Sequence, residues 1–338
     1  RRYKYMRSPY KFMTKLLLVT GKGGVGKSTT SASLAHHYAG TGLKTILISS
    51  DPAHSTDDTV GVPISSTAQT IGPNLWAMNI DAAKAVSGRV NKVKSAFAGM
   101  FSNLFPNMDQ DVISMSALPG VDEWGACEII GNLMQAEEYD LIVFDTAPTG
   151  HTLKALTAPD TIKEMLLKIR RMKKKISGKL LKGIVFKGSD TDELEDLLAS
   201  FCDDIDLLKS YLQDTDRTKI MLVSIPTEAG FMEFYRTVNF LESIDLPADT
   251  LIINHIVPDM GTHFDIRAEN PAVAMVWHEH QNQQQWISNY QKVAQEHKLI
   301  AIGVTRLPYE PKGMGSEGHL KDFADLIIGT EKMELPGE

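Results

Sequence analysis

The residues Gly21–Thr29 read GKGGVGKST. A glycine-rich run that closes on Lys-Ser-Thr is the residue set that cradles phosphate. The glycines let the backbone wrap closely and turn N–H groups inward, and a following helix adds the positive end of its dipole. The candidate loop is Gly21, Lys22, Gly23, Gly24, Val25, Gly26, Lys27, Ser28 and Thr29. Lys27 is expected to reach the β- and γ-phosphates, and the Ser28 hydroxyl to ligate Mg²⁺. Two aspartates complete a phosphate-transfer set. Asp51 opens DPAHSTDD (Asp51–Asp58), where a strand-end carboxylate can orient an attacking water. Asp145 opens DTAPTGHTLK (Asp145–Lys154) after an apolar run, the position that holds Mg²⁺ directly or through water. Gly150 in that segment can offer a backbone N–H to the γ-phosphate and lose it on hydrolysis.

These residues need a scaffold that brings strand ends together. Apolar runs recur at Lys15–Thr20, Lys44–Ser50, Leu75–Ile80, Asp140–Phe144, Lys219–Ile225, Thr250–Ile256 and Leu299–Val304. Continuous apolar runs separated by helical patterns mark parallel strands covered on both faces. The expected class is α/β, a doubly wound, mostly parallel sheet around a P-loop core. The loop itself sits between the strand KLLLVT and the helix SASLAHHYAG, the context that its motif requires. Residues 84–118 and 160–212 break the alternation. They read as an inserted helical subdomain rich in Met and Phe, with a basic run from Lys163 to Lys187 and an acidic stretch after it. The ATPase-type domain is expected to comprise 13–83, 119–159 and 213–330. Residues 1–12 read as a tail or expression remnant before Met13, a plausible native start, and 331–338 as a C-terminal tail.

Composition narrows the class. A chain of 338 residues, 43% hydrophobic and 7% aromatic, is long enough for one large or two ordinary domains and is not a disordered polymer. No stretch approaches the roughly 18 apolar residues that a membrane span needs. The net charge of −7 argues against a nucleic-acid partner. Two cysteines, Cys127 and Cys202, form no disulfide framework and fit a reducing, cytoplasmic setting.

The lysine that precedes the loop's central glycines, Lys22, resembles the signature of the dimerising ATPases with a deviant P-loop, where it reaches the nucleotide of the partner subunit. Together GKGGVGKST, DPAHS and DTAPTGHTL resemble the arsenite-pump ATPase superfamily, which includes the cytosolic ATPases that target tail-anchored membrane proteins in the guided-entry pathway. PGVDE (Pro119–Glu123) and LPYEPKG (Leu307–Gly313) look like family segments too. The resemblance implies a homodimer that binds ATP and Mg²⁺, with Asp51 and Lys27 catalytic and Lys22 acting across the interface. It implies that Asn254 reads adenine, that Pro308 and Tyr309 pack on the base, and that Glu228 faces the nucleotide. It also implies a groove in the insert for hydrophobic transmembrane segments and a membrane receptor as a possible partner. The insert's apolar stripe is also readable as ordinary core.

The chain departs from that family first at its zinc site. Residues 257–300 contain no cysteine, so the C-x-x-C zinc site of many targeting ATPases is missing from the sequence. His278 and His280 lie nearby, but residues two apart on a helix diverge, so they read as solvated or capping groups. Arsenite needs several thiolates, and Cys127 and Cys202 read as core residues. The efflux-coupled ATPase and the positioning switch remain as alternatives. The tail GTEKMELPGE forms no amphipathic membrane helix, which weighs against the switch type.

Overall fold

The computed structural model describes residues 13–51, 55–81, 84, 87–89, 91–92, 95, 124–147, 155–164, 167, 171, 188–259, 271–305, 317–329 and 335. One sheet organises them. Its strands are β1 (Lys15–Thr20), β2 (Thr45–Ser49), β3 (Gln69–Gly72), β4 (Leu75–Asn79), β5 (Leu141–Asp145), β6 (Thr218–Ser224), β7 (Thr250–Ile256) and β8 (Ile300–Thr305). They stand in the order β3-β4-β2-β5-β1-β6-β7-β8. All seven apolar runs become strands, and these pair in parallel. The eighth strand, β3, is antiparallel to β4 at the sheet edge. Its sequence, QTIG, is half exposed and has no two-faced apolar run to announce it.

Alternate residues of one strand feed two cores, as the pleat requires. Leu16, Leu18, Ile46 and Ile48 enter the cluster on one face, while Leu17, Val19 and Leu47 enter the other. The first face is covered by α3 (Trp124–Ala136), α4 (Gly188–Gln213), α5 (Glu228–Ser243) and α6 (Pro271–Glu296). The second is covered by α1 (Lys27–Gly40) packed on α7 (Glu317–Ile328). This is the doubly wound α/β arrangement.

The helix α4 covers the C-terminal half of the stretch 160–212. Its Leu198, Phe201, Cys202, Ile205 and Leu208 pack in the same cluster as the sheet residues. The start of the other stretch is pinned to this layer by Arg89. Its guanidinium pairs with Glu128 of α3 and lies 3.2 Å from Asp204 of α4, over the Trp124 ring. Apart from 84, 87–89, 91–92 and 95, the stretch 84–118 lies outside the described residues, as do Met165, Met172 and the segments PGVDE and LPYEPKG. No helix among the described residues is long and apolar enough to cross a membrane.

The register places the chemistry. Val19 of β1 and Ser49 of β2 both stand opposite Asp145 of β5, so three strand ends open into one crevice. Crevices at the carboxyl ends of parallel strands are where such sheets bind ligands.

Candidate nucleotide site

The loop after β1 is held by contacts that only glycine permits at two positions. Gly21 has φ 151°, and a Cβ there would lie 2.1 Å from the Val223 carbonyl at the end of β6. Gly26 has φ 97° and caps α1, and its Cβ would lie 2.3 Å from Nδ2 of Asn254. Between them Lys22, Gly23 and Gly24 are exposed while Val25 is buried. The loop thus presents its tip and hides its root.

Lys27 begins α1 and is 6% exposed. Its ammonium donates to the Lys22 carbonyl at 3.1 Å, closing the loop upon itself. Burial pulls its pKa below the ordinary lysine value, and the carboxylates of Asp145 and Asp51 oppose that pull. A buried ammonium at the root of the loop is placed to pair with a phosphate oxygen.

Next to it runs a chain of short oxygen contacts. Ser28 Oγ donates to Asp145 Oδ2 at 2.6 Å and meets Ser55 Oγ at 2.9 Å. Ser55 Oγ in turn donates to Asp51 Oδ2 at 2.8 Å. Thr56 Oγ1 adds a second bond to Asp145 Oδ2 at 2.9 Å. Ser55 and Thr56 open α2 (Ser55–Val60), the short helix after Asp51. The two aspartates expected from the sequence therefore belong to one network with Ser28, and two hydroxyls from α2 join them.

Asp145 is fully buried. Burial raises its carboxyl above the ordinary range, and the Ser28 and Thr56 hydroxyls and Lys27 offset part of that rise. Its second oxygen, Oδ1, is buried with no hydrogen-bond partner among the described residues. An unpartnered buried carboxylate oxygen is costly. With the Ser28 hydroxyl beside it, it provides the hard oxygen donors that Mg²⁺ takes. The residues present fit that ion.

Residues 14–328 match the family described as Anion-transporting ATPase. The chain belongs to this ATPase family. A relative in Aspergillus terreus, ATPase get3, is 29% identical over 92% of this chain and 90% of its own length. ATPase GET3C of Arabidopsis thaliana is 34% identical, covering 72% of this chain and 67% of its own. ATPase ARSA1 of Chlamydomonas reinhardtii is 31% identical over 73% of this chain, which spans only 36% of that longer protein.

Among the residues that the family resemblance implies, Asn254 comes to the loop. It is 3% exposed, and Nδ2 donates to the Val25 carbonyl at 3.0 Å. Glu228 opens α5 at the carboxyl end of β6, exposed, next to the helix-capping Thr227. Gly150, Pro308 and Tyr309 lie outside the described residues. His280 caps a strand end, with Nδ1 2.8 Å from the Val257 carbonyl. Neither Cys127 nor Cys202 is in a disulfide, and both are buried. Burial pushes the Cys202 thiol up to about 11.

Sequence reading missed Ser55, Thr56 and Gln283. The first two carried a signal, since a Ser-Thr pair four residues beyond a strand-end aspartate can fold its hydroxyls back on the site. Gln283 sits in a glutamine-rich helix with no signal at all.

Proposed function

We propose that this ATPase is a homodimer that uses Mg-ATP to capture and release the hydrophobic transmembrane segments of tail-anchored proteins for delivery to a membrane receptor. The observation that carries the nucleotide half of this reading is the contact chain Asp145–Ser28–Ser55–Asp51 beside Lys27.

In this reading Lys27 and the loop N–H groups hold the phosphates. Ser28 and Asp145 hold Mg²⁺, which supplies charge neutralisation on the phosphate oxygens. Asp51 orients the attacking water and takes its proton, with Ser55 fixing the carboxylate plane. Lys22, exposed at the loop tip, reaches the partner subunit's nucleotide. Gly150 donates its N–H to the γ-phosphate. Asn254 and Glu228 face the nucleotide, with Pro308 and Tyr309 against the base. An amide suits adenine because it donates and accepts at once.

The client half rests on the family resemblance and on the apolar residues of 84–118 and 160–187, since the α4 part of 160–212 gives Leu198, Phe201, Ile205 and Leu208 to the core. Methionine is flexible and polarisable, so it suits client sequences that vary. Arg89 ties the start of the first segment to α3 and α4.

The family's description as anion-transporting supports a second reading, an efflux-coupled ATPase. Two buried thiols, one of them pushed to about 11, are poor ligands for a soft metalloid. Capture of a tail-anchored segment by the purified protein, with and without ATP, separates the two. The targeting reading expects capture in one nucleotide state, loss of capture in Met165→Asp/Met172→Asp, and no stimulation of hydrolysis by arsenite. Strong metalloid stimulation, or capture indifferent to these substitutions, would overturn it.

A further inference from the structure

β7 leaves the sheet irregularly. Its pairing with β8 slips between Ile253 and Ile256, and His255 within the slip takes a left-handed φ of 59°. A slip deprives backbone groups of their ladder partners, and buried ones must find others. Here they find Gln283, from the middle of α6 and only 6% exposed. Its Oε1 accepts the Val257 N–H at 2.8 Å, and its Nε2 donates to the His255 carbonyl at 3.2 Å. A primary amide carries donor and acceptor in one plane, so this side chain stands in for a strand peptide group.

The clamp continues into the nucleotide loop. The His255 N–H donates to Asn254 Oδ1 at 2.8 Å, and Asn254 Nδ2 donates to the Val25 carbonyl at 3.0 Å. One path therefore runs Gln283–His255–Asn254–Val25. Both ends of the Asn254 amide are engaged, which fixes its plane. The stoichiometry of the amide still leaves one hydrogen and one lone pair. That pair matches adenine, which offers a donor and an acceptor on adjacent positions of its edge. Guanine puts a carbonyl oxygen where adenine has its amino group, and that oxygen would meet Asn254 Oδ1.

We propose that Gln283 is a positioning residue for base selectivity: by holding the left-handed turn at His255, it sets the amide plane with which Asn254 tells adenine from guanine. The inference rests on Asn254 facing the base. Gln283 itself touches no nucleotide. Without it, the turn at His255 loses these two bonds while the His280 contact to the Val257 carbonyl remains, Asn254 gains freedom to rotate, and its donor and acceptor no longer have fixed places.

The test is steady-state hydrolysis of ATP and GTP by the full chain, wild type against Gln283→Met and Asn254→Ala. The readout is the ratio of kcat/KM for ATP to that for GTP, which a merely structural loss would leave unchanged because both nucleotides suffer alike. Gln283→Met, of similar length but unable to bridge, is expected to lower the ratio by about 5- to 10-fold, the worth of one unmade hydrogen bond, acting on KM more than on kcat. Asn254→Ala is expected to lower it at least as far. A wild-type ratio in Gln283→Met alongside a collapsed one in Asn254→Ala would overturn the inference and leave the base-facing role of Asn254 standing. A wild-type ratio in Asn254→Ala, or no preference in the wild type, would overturn that role and this inference with it. If Gln283→Met does not fold, Gln283→Glu decides in the same way. It keeps an acceptor for the Val257 N–H and loses only the bond to the His255 carbonyl.

Discussion

Gly26→Ala and Gly24→Ala form a matched pair whose difference the loop geometry sets. Both glycines have left-handed backbones, φ 97° and 77°. An L-residue in that region costs roughly 1–2 kcal/mol. Around Gly24 a new Cβ meets nothing within 4 Å, so Gly24→Ala carries the backbone cost alone. At Gly26 the Cβ would lie 2.3 Å from Asn254 Nδ2, so that side chain must move and abandon the Val25 carbonyl. A hydrogen bond of this kind contributes about 0.5–1.5 kcal/mol. The loop Gly21–Thr29 is thus less stable by about 1–2 kcal/mol in Gly24→Ala and about 1.5–3.5 kcal/mol in Gly26→Ala. Nucleotide affinity should fall by about 5- to 30-fold and about 10- to 300-fold respectively, at 1.4 kcal/mol per tenfold. Calorimetric titration with Mg-ADP measures both. Adding Asn254→Ala to each variant completes the comparison, because the second substitution should cost less in Gly26→Ala, where the contact is already broken. Equal affinity losses in the two glycine variants, with strict additivity of Asn254→Ala in both, would refute the contact as the cause.

Three further outcomes follow from buried groups. Burial raises Asp145, so the native state holds a proton over a pH range in which the unfolded chain has released it. Stability of the nucleotide-free protein should therefore fall as pH rises through that range. Asp145→Asn should remove the slope and raise the melting temperature at neutral pH while abolishing Mg-dependent turnover, as melts from about pH 4 to 8 would record. Arg217, 8% exposed, donates to the Thr14 and Met134 carbonyls and lies 4.7 Å from the Tyr211 ring centroid. Arg217→Ala should destabilise by about 2–4 kcal/mol in urea unfolding, and lysine should not restore the loss because it cannot reach both carbonyls from one plane. Cys202, with its thiol at about 11, and the fully buried Cys127 should react with an aromatic disulfide reagent far more slowly in native than in unfolded protein.

The strands were legible because a parallel sheet covered on both faces demands unbroken apolar runs, and Leu16–Val19 or Leu141–Phe144 can be little else. The loop's shape was legible because its glycines mark the places where the backbone turns left-handed against close neighbours, as at Gly21 and Gly26. β3 escaped because an exposed edge strand needs no such pattern. α2 escaped because six residues carry no helical period. Ser55, Thr56 and Gln283 acquire their roles from contacts across the fold, and Gln283 braces a strand only because β7 slips at His255. Nothing in the run Gln281–Gln285 distinguishes the buried member from its exposed neighbours.

The central claim is that this loop and its two aspartates hydrolyse ATP, with Asp51 positioning the water. Phosphate release by the purified protein under saturating Mg-ATP, wild type against Asp51→Asn, tests it most directly, with ATP affinity measured on the same samples. Affinity is expected to be unchanged and turnover lower by about 10²-fold or more in the variant, the usual contribution of a positioned base. Equal turnover in the two proteins would contradict it.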